Sequence, residues 1–131
     1  MQVLGALHII YAEPTAQLRA LLERLTFCAM PYQQGTYFNG HVNVGLVYTM
    51  NAWEDYYKKN IRPNLMNFEG MLQMTLKGSI YSYAAFETLQ VNDYSKYDMG
   101  MFDGAARKER RETQFPVDKE KVYQMGVELG R

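Results

Sequence analysis

The side chains that most often carry chemistry in proteins are few in this sequence. It has two histidines, His8 and His41, and one cysteine, Cys28. The histidines lack the close cysteine or carboxylate spacing of a zinc site, so we predict no metal site. One cysteine excludes a disulfide and a cysteine-ligated cluster within one chain. Its place on the apolar stripe of a predicted helix favours a buried, unreactive thiol.

A basic run is the segment that suggests contact with phosphate groups. Residues 107–112 read RKERRE, and the interleaved glutamates favour a solvated helix face over a phosphate site. Lys plus Arg and Asp plus Glu both number 14, so the chain is formally neutral. We therefore expect no nucleic-acid partner.

The first thirty residues predict a strand that leads directly into an amphipathic helix. Residues 3–11 are almost continuously apolar, as in a parallel strand that is covered on both faces. Pro14 fits the first position of the following helix. The predicted buried stripe of this helix consists of Leu18, Leu21, Leu22, Leu25 and either Cys28 or Ala29. Open parallel sheets bind ligands beyond the carboxyl ends of their strands, so this junction is the expected site.

Two further strands are predicted at residues 42–49 and 79–86. Between them, a helix that begins at Ala52 is interrupted at Pro63, where a new helix begins. That second helix is predicted to end at residues 77–78, Lys-Gly, because glycine commonly follows a helix.

The C-terminal third is more polar. Residues 89–102 have an irregular pattern, and two polar helices are predicted at residues 103–113 and 117–129. The alternation of strands and helices predicts an α/β fold with a parallel sheet of about three strands and flanking helices. A length of 131 residues suits one domain, residues 1–131.

A sheet of three strands leaves two open edges. The apolar first strand would expose unpaired backbone groups and apolar side chains on one side, so we expect a homodimer or a higher oligomer. No signal peptide or long apolar segment is evident and there is a single cysteine, so we expect a cytoplasmic protein without a membrane partner.

Four segments of the chain carry a family resemblance. Residues 9–25 read IIYAEPTAQLRALLERL, residues 47–51 VYTMN, residues 93–97 DYSKY and residues 114–118 QFPVD. They resemble, in this order, parts of the flavodoxin-like NAD(P)H-dependent FMN reductases, including the iron-sulfur flavoprotein branch. The first looks like the third strand, flavin loop and following helix of that family, the second like the end of its fourth strand, and the last two like its C-terminal section.

The resemblance implies a flavodoxin-like fold and an FMN-dependent oxidoreductase that moves hydride from a nicotinamide cofactor to flavin. It implies contacts with the isoalloxazine ring from two strand ends, made by Ile9, Ile10, Tyr11, Ala12, Glu13, Thr49, Met50 and Asn51. The alternative is that these residues are only strand ends and turns. Tyr94 and Tyr97 would either cap the flavin or pack at a subunit contact. No catalytic side chain is implied, because the cofactor carries the redox chemistry.

The sequence departs from the family's pattern in three respects. The family's N-terminal strand and its phosphate-binding loop have no counterpart here, so the chain corresponds to the C-terminal part only, and no glycine-rich phosphate motif replaces that loop. The cluster cysteines of the iron-sulfur branch are missing. Residues 6–12 read ALHIIYA where the family typically has GSPIYFG, and the loss of the last glycine matters if Ala12 needs a positive φ.

We therefore expect this chain alone to bind FMN weakly or not at all. The alternative function is a non-enzymatic interaction module that has lost cofactor binding and acts through self-association or a partner chain.

Overall fold

The computed structural model describes residues 2–131 and has an α/β fold, in which helices flank a mixed sheet of four strands. The strands are β1 (Gln2–Ile10), β2 (Glu13–Pro14), β3 (Val42–Thr49) and β4 (Lys77–Ala85). The helices are α1 (Ala16–Phe27), α2 (Glu54–Tyr56), α3 (Arg62–Leu76) and α4 (Gly104–Leu129). A π-helical turn (Tyr57–Ile61) joins α2 to α3, and a 3₁₀ turn (Tyr94–Lys96) precedes α4. None of the helices in residues 2–131 combines the length and the apolar character needed to cross a membrane.

The sheet has the strand order β2-β1-β3-β4. β1 pairs parallel with β3, and β3 pairs parallel with β4, which confirms the three predicted strands and their direction. The prediction of a purely parallel sheet is wrong. The chain turns back after β1, and the short strand β2, which was not predicted, pairs antiparallel with β1 at Ile9 and Ile10 only.

The two faces of the sheet have separate cores. Val44, Leu46 and Tyr48 of β3 are buried in the larger core, together with Leu7 and Ile9 of β1 and side chains of α1 and α3. The opposite face of β3 packs on α4 through a smaller cluster of Val47, Met125 and Leu129. α4 contacts β3 and β4, the half of this face away from the β1 edge.

The prediction that β1 is covered on both faces is therefore wrong. Leu7 and Ile9 are buried, but on the opposite face Leu4 is 57% exposed and Ile10 is 50% exposed. β2 pairs only with the end of β1, so the outer edge of residues 2–8 is unpaired among the described residues.

A polar network lies inside the larger core. The Tyr48 hydroxyl, on a fully buried ring, donates to Glu69 Oε1 at 2.9 Å, and Arg62 Nη1 donates to Glu69 Oε2 at 2.8 Å. Burial, and then the Glu69 carboxylate, raise the pKa of Tyr48 above its ordinary value. The phenol thus stays protonated and satisfies a carboxylate that would be costly to bury alone.

Helix α1 differs from its predicted form at the start and on the buried side. Pro14 is buried in β2, and the helix begins at Ala16. Thr26 is buried, with its hydroxyl donating to the Leu22 carbonyl at 2.7 Å, so that a polar residue completes the stripe of Leu18 and Leu22. The stripe is narrower than predicted, and Leu21, Leu25 and Cys28 are exposed.

Two proline positions also differ from the prediction. Pro63 lies in the first turn of α3, after the π-helical turn, so the chain remains helical through the predicted break. A π turn absorbs one extra residue, which is a known way to accommodate irregularity within a helix. Residues 103–129 contain one helix rather than two, because the 26-residue α4 continues through the exposed Pro116 while both of its halves pack on the sheet side.

The junction of α3 with β4 places glycine differently from the prediction. Lys77, with φ 61°, takes the left-handed position at the end of α3. Gly78 is instead buried in β4, where a Cβ atom would lie 1.8 Å from the Val42 carbonyl oxygen of β3. The glycine is therefore required by the close approach of two backbones.

We predict opposite effects for two glycine-to-alanine changes. Gly78→Ala should lower the free energy of unfolding by about 3 kcal/mol, the upper end of the range for overpacking, because backbone atoms cannot move aside. Gly70→Ala, in α3 with nothing within 4 Å of the added methyl group, should raise it by roughly 0.5–1 kcal/mol. Urea unfolding of both variants measures this, and a neutral Gly78→Ala would contradict the close backbone approach.

Candidate functional site

The carboxyl ends of the three parallel strands meet at one edge of the sheet, as the sequence predicts for a ligand site. The chain leaves β3 and β4 through two loops that bond to each other. Met50 N donates to the Ala85 carbonyl at 3.1 Å, Thr88 N to the Met50 carbonyl at 3.0 Å, and Glu87 N to the Ala52 carbonyl at 3.1 Å. These bonds give the edge a fixed shape.

The β1 end of this edge is a two-residue hairpin turn. Tyr11 and Ala12 join β1 to β2 with φ values of 51° and 65°. Hairpin loops of two residues favour positive φ at both positions, usually with asparagine and glycine. Residues with a Cβ adopt this region at a cost of about 1–3 kcal/mol each. The Tyr11 side chain is 98% exposed, so the turn holds an aromatic ring in solvent at the edge of the sheet.

The other predicted contacts from the first segment have different environments. Ile9 is buried in the larger core, and Ala12 packs partly against it. Ile10 is half-exposed on the opposite face. The Glu13 carboxylate pairs with Arg19 Nη1 at 3.1 Å. Only Tyr11 and Ile10 of this segment thus present substantial side-chain surface at the edge.

The three predicted residues after β3 also separate. The Thr49 hydroxyl lies 3.1 Å from His8 Nδ1 and faces a groove. Met50 is 1% exposed and belongs to the larger core. The Asn51 carbonyl accepts a hydrogen bond from Arg107, while its buried side-chain Oδ1 has no hydrogen-bond partner among the described residues.

Arg107 holds the two loops together. Its guanidinium is buried, with Nη1 donating to Glu87 Oε1 at 2.5 Å and Nη2 donating to the Asn51 carbonyl at 3.1 Å. Arg110, one turn later, donates through Nε to the Phe86 carbonyl at 3.0 Å. The interpretation of residues 107–112 as a solvated face is therefore wrong for these two arginines. Their i, i+3 spacing on one helix face was the signal that could have revealed them.

A groove opens between α4 and the carboxyl end of the sheet, with a volume of about 310 Å³. His8 and Thr49 contribute one side, residues 86–90 the end, and Arg110, Arg111, Phe115 and Asp118 the other side. The Arg111 guanidinium stacks on the Phe115 ring, with its central carbon 3.7 Å from the ring centroid.

The polar groups beneath this groove are paired. Asp118 is buried, and its Oδ1 accepts hydrogen bonds from the Tyr83 hydroxyl at 2.7 Å and from Gln114 Nε2 at 2.8 Å. Burial and the bond to Asp118 raise the pKa of Tyr83, which stays a neutral donor. Sequence reasoning missed Tyr83 and Asp118, because they lie 35 residues apart and no local pattern links them.

Few side chains near this edge are of the types that bind metals or act as nucleophiles. Residues 2–131 contain no group of three or more His, Cys, Asp or Glu side chains placed to hold a metal ion. His8 lies within hydrogen-bond distance of the Thr49 hydroxyl, and Cys28 is exposed just after α1, a helix that packs on the opposite face.

We predict that Arg107→Met lowers the free energy of unfolding by about 2 kcal/mol, because the Asn51 carbonyl and the Glu87 carboxylate both lose a charged donor. Amide hydrogen exchange at Glu87 and Thr88 should accelerate, because the helix no longer clamps these loops. Lys108→Met, an exposed neighbour on the same helix, should change stability by less than about 0.5 kcal/mol. Equal changes in the free energy of unfolding for the two substitutions would contradict the proposed role of Arg107 in linking the two loops.

No family model, curated protein or solved structure matches this chain.

Proposed function

We propose that the carboxyl edge of the sheet binds the ring of FMN, and that the chain is the C-terminal half of a flavodoxin-like FMN-dependent NAD(P)H oxidoreductase. The observation that carries the proposal is the turn at Tyr11 and Ala12. The family that residues 9–25 resemble typically has glycine at the position of Ala12, and Ala12 has φ 65°, a conformation that glycine adopts freely. This chain has alanine where the family typically has glycine, but the backbone at this position has the conformation that glycine favours.

The sheet topology is a second support. β1, β3 and β4 run parallel in that spatial order, with a helical connection between each pair, and their carboxyl ends meet at one edge. A flavodoxin-like arrangement would have this order in its C-terminal part. The antiparallel β2 is a short addition at the end of β1 that leaves this order unchanged.

The residues of the edge fit the ring of the cofactor better than its phosphate. Tyr11 offers an exposed aromatic face for stacking, Ile10 offers half-exposed apolar surface, and Thr49 offers a hydroxyl. Bound FMN would supply hydride and electron transfer between a nicotinamide cofactor and an acceptor. The part of the chain is to hold the ring, and the loop contacts made by Arg107 keep the edge in one shape for it.

The phosphate of FMN requires clustered N–H donors or positive charge, which the resemblance assigns to a loop without a counterpart in this sequence. We propose that a different partner chain supplies it by pairing with the open edge of β1. Stacking contributes only about 1 kcal/mol beyond area burial, whereas an unpaired buried charge costs several. The chain alone should therefore bind the ring without distinguishing the phosphate.

This proposal predicts that FMN and riboflavin bind the isolated chain equally, within about twofold and with dissociation constants above about 1 μM. Tyr11→Ala should weaken both by about tenfold, since stacking is worth roughly 0.5–1.5 kcal/mol. The control is Tyr37→Ala, on a ring that is 71% exposed in a different loop. Flavin fluorescence titration measures all three proteins. Submicromolar binding of FMN but not riboflavin would show a phosphate site within this chain, and no binding of either would reject the flavin site.

The second candidate function is a non-enzymatic interaction module, and the open edge of β1 favours it. Val3 is 46% exposed and Leu4 is 57% exposed along an edge that carries no proline and no acidic or basic side chain other than His8. Natural edge strands are normally protected by charge, proline or a covering element. An edge of this composition is suited to pairing with another strand.

Self-association follows from this edge, and Leu4→Lys should abolish it. We expect the wild-type chain to sediment as a dimer or a higher oligomer at micromolar concentration, because a normal-sized interface buries enough apolar surface to offset association costs. Leu25→Lys is the matched control, since Leu25 is similarly exposed, at 56%, but belongs to α1 and not to β1. A well-folded wild-type monomer would contradict the prediction, and circular dichroism checks that both variants fold.

A further inference from the structure

We infer that the groove between α4 and the sheet is a separate binding site, which takes a small ligand with an apolar body and an anionic head group. The groove described above, of about 310 Å³, continues into a second hollow of about 400 Å³ under α4. The two hollows are adjacent, because they share the lining residues Thr49, Thr88, Phe115 and Asp118. Small-molecule sites commonly have volumes of about 300–1,000 Å³.

The inner end of this groove is apolar. Val47 and Ala85 line it from the sheet, and Phe115 and Val122 line it from α4. The polar groups beside it are already satisfied, because Asp118 accepts hydrogen bonds from Tyr83 and Gln114. A hydrocarbon or aromatic body would therefore displace water there without breaking a hydrogen bond.

The outer end of the groove has two guanidinium groups. Arg111 stacks on Phe115 and makes no ion pair among residues 2–131. Arg110 uses Nε for the Phe86 carbonyl, which directs it to the groove and leaves its terminal nitrogens for a ligand. Glu87, the acidic residue at this end, is paired with Arg107. The mouth thus carries two guanidinium groups, with the Asp118 carboxylate deeper in the groove and Glu54 close enough to Arg110 to interact with its charge.

The juxtaposition of the two ends defines the ligand class. An apolar body in the inner hollow would point a carboxylate, sulfonate or phosphate toward Arg110 and Arg111, which suit planar or tetrahedral oxyanions. Thr49 is shared with the proposed flavin contacts, but Tyr11 does not line the groove. The site goes beyond the flavin proposal and does not rest on it.

The test uses two fluorescent probes that differ in charge. 1-Anilinonaphthalene-8-sulfonate has an aromatic body and an anionic head, and N-phenyl-1-naphthylamine has a similar body without the charge. We expect one sulfonate to bind per chain, with methyl chemical-shift changes at Val47 and Val122. Arg111→Gln should weaken binding of the sulfonate by about tenfold, because a charge-assisted hydrogen bond is lost. Binding of the uncharged amine should change by less than about twofold. Lys108→Gln, the same loss of charge on α4 outside the groove, should affect neither.

A second variant keeps the site testable if the arginine change is silent. Val122→Trp should fill the inner hollow and weaken the binding of both probes by at least about tenfold, while the far-ultraviolet circular dichroism spectrum is retained. Shifts confined to methyl groups outside the groove, or sulfonate binding unchanged in both Arg111→Gln and Val122→Trp, would overturn the site. Failure of the flavin titration leaves this experiment intact, because neither probe depends on Tyr11.

Discussion

The buried guanidinium of Arg107 is the contact on which the carboxyl edge depends. It donates to the Asn51 carbonyl after β3 and to Glu87 after β4, so one side chain of α4 fixes both loops. The ion pair is only partly compensated, because Arg107 Nε is buried without a hydrogen-bond partner among the described residues. A buried pair of this kind adds little net stability, but removing one partner is costly. Its effect is to determine where α4 lies.

The position of α4 explains the open surfaces of the molecule. Anchored over β3 and β4, the helix covers Val47 and leaves Leu4 and Ile10 of β1 half-exposed. The groove beside Phe115 and the exposed apolar side chains of β1 both lie on this partly covered face. Parallel strands are normally buried on both faces. The proposals of self-association and of ligand binding therefore describe two ways of completing the same face.

The parts of the fold that the sequence predicts are those decided by local pattern. Apolar runs predict β1, β3 and β4, and helical periodicity predicts α1 and α3. The exposed Cys28, the buried Thr26 and the continuity of α4 through Pro116 depend on what packs against each helix, which no local window contains. The π-helical turn before Pro63 also depends on tertiary packing, since its first and last residues, Tyr57 and Ile61, are both buried.

The candidate site likewise has parts that the sequence indicates and parts that depend on tertiary contacts. The resemblance directed attention to Tyr11 and Ala12 and left open whether Ala12 needs a positive φ, and the structure gives it a φ of 65°. The role of Arg107 was not predicted, because glutamates follow it closely in the sequence while its actual partner, Glu87, lies 20 residues before it. A charge pattern read along one helix does not show which carboxylate faces it across a loop.

Backbone strain is concentrated at the edge that we propose as the site. Of the four non-glycine residues with positive φ among residues 2–131, Lys77 ends a helix, and Tyr11, Ala12 and Glu87 lie at the carboxyl ends of β1 and β4. Each left-handed residue costs about 1–3 kcal/mol, and such strain persists only where the surrounding structure determines it. The pairing of β2 and the ion pair of Arg107 supply that determination. Glu87 is held in this conformation by its own ion pair with Arg107, whereas the Tyr11 ring is 98% exposed, which is the arrangement that the proposed flavin contact requires.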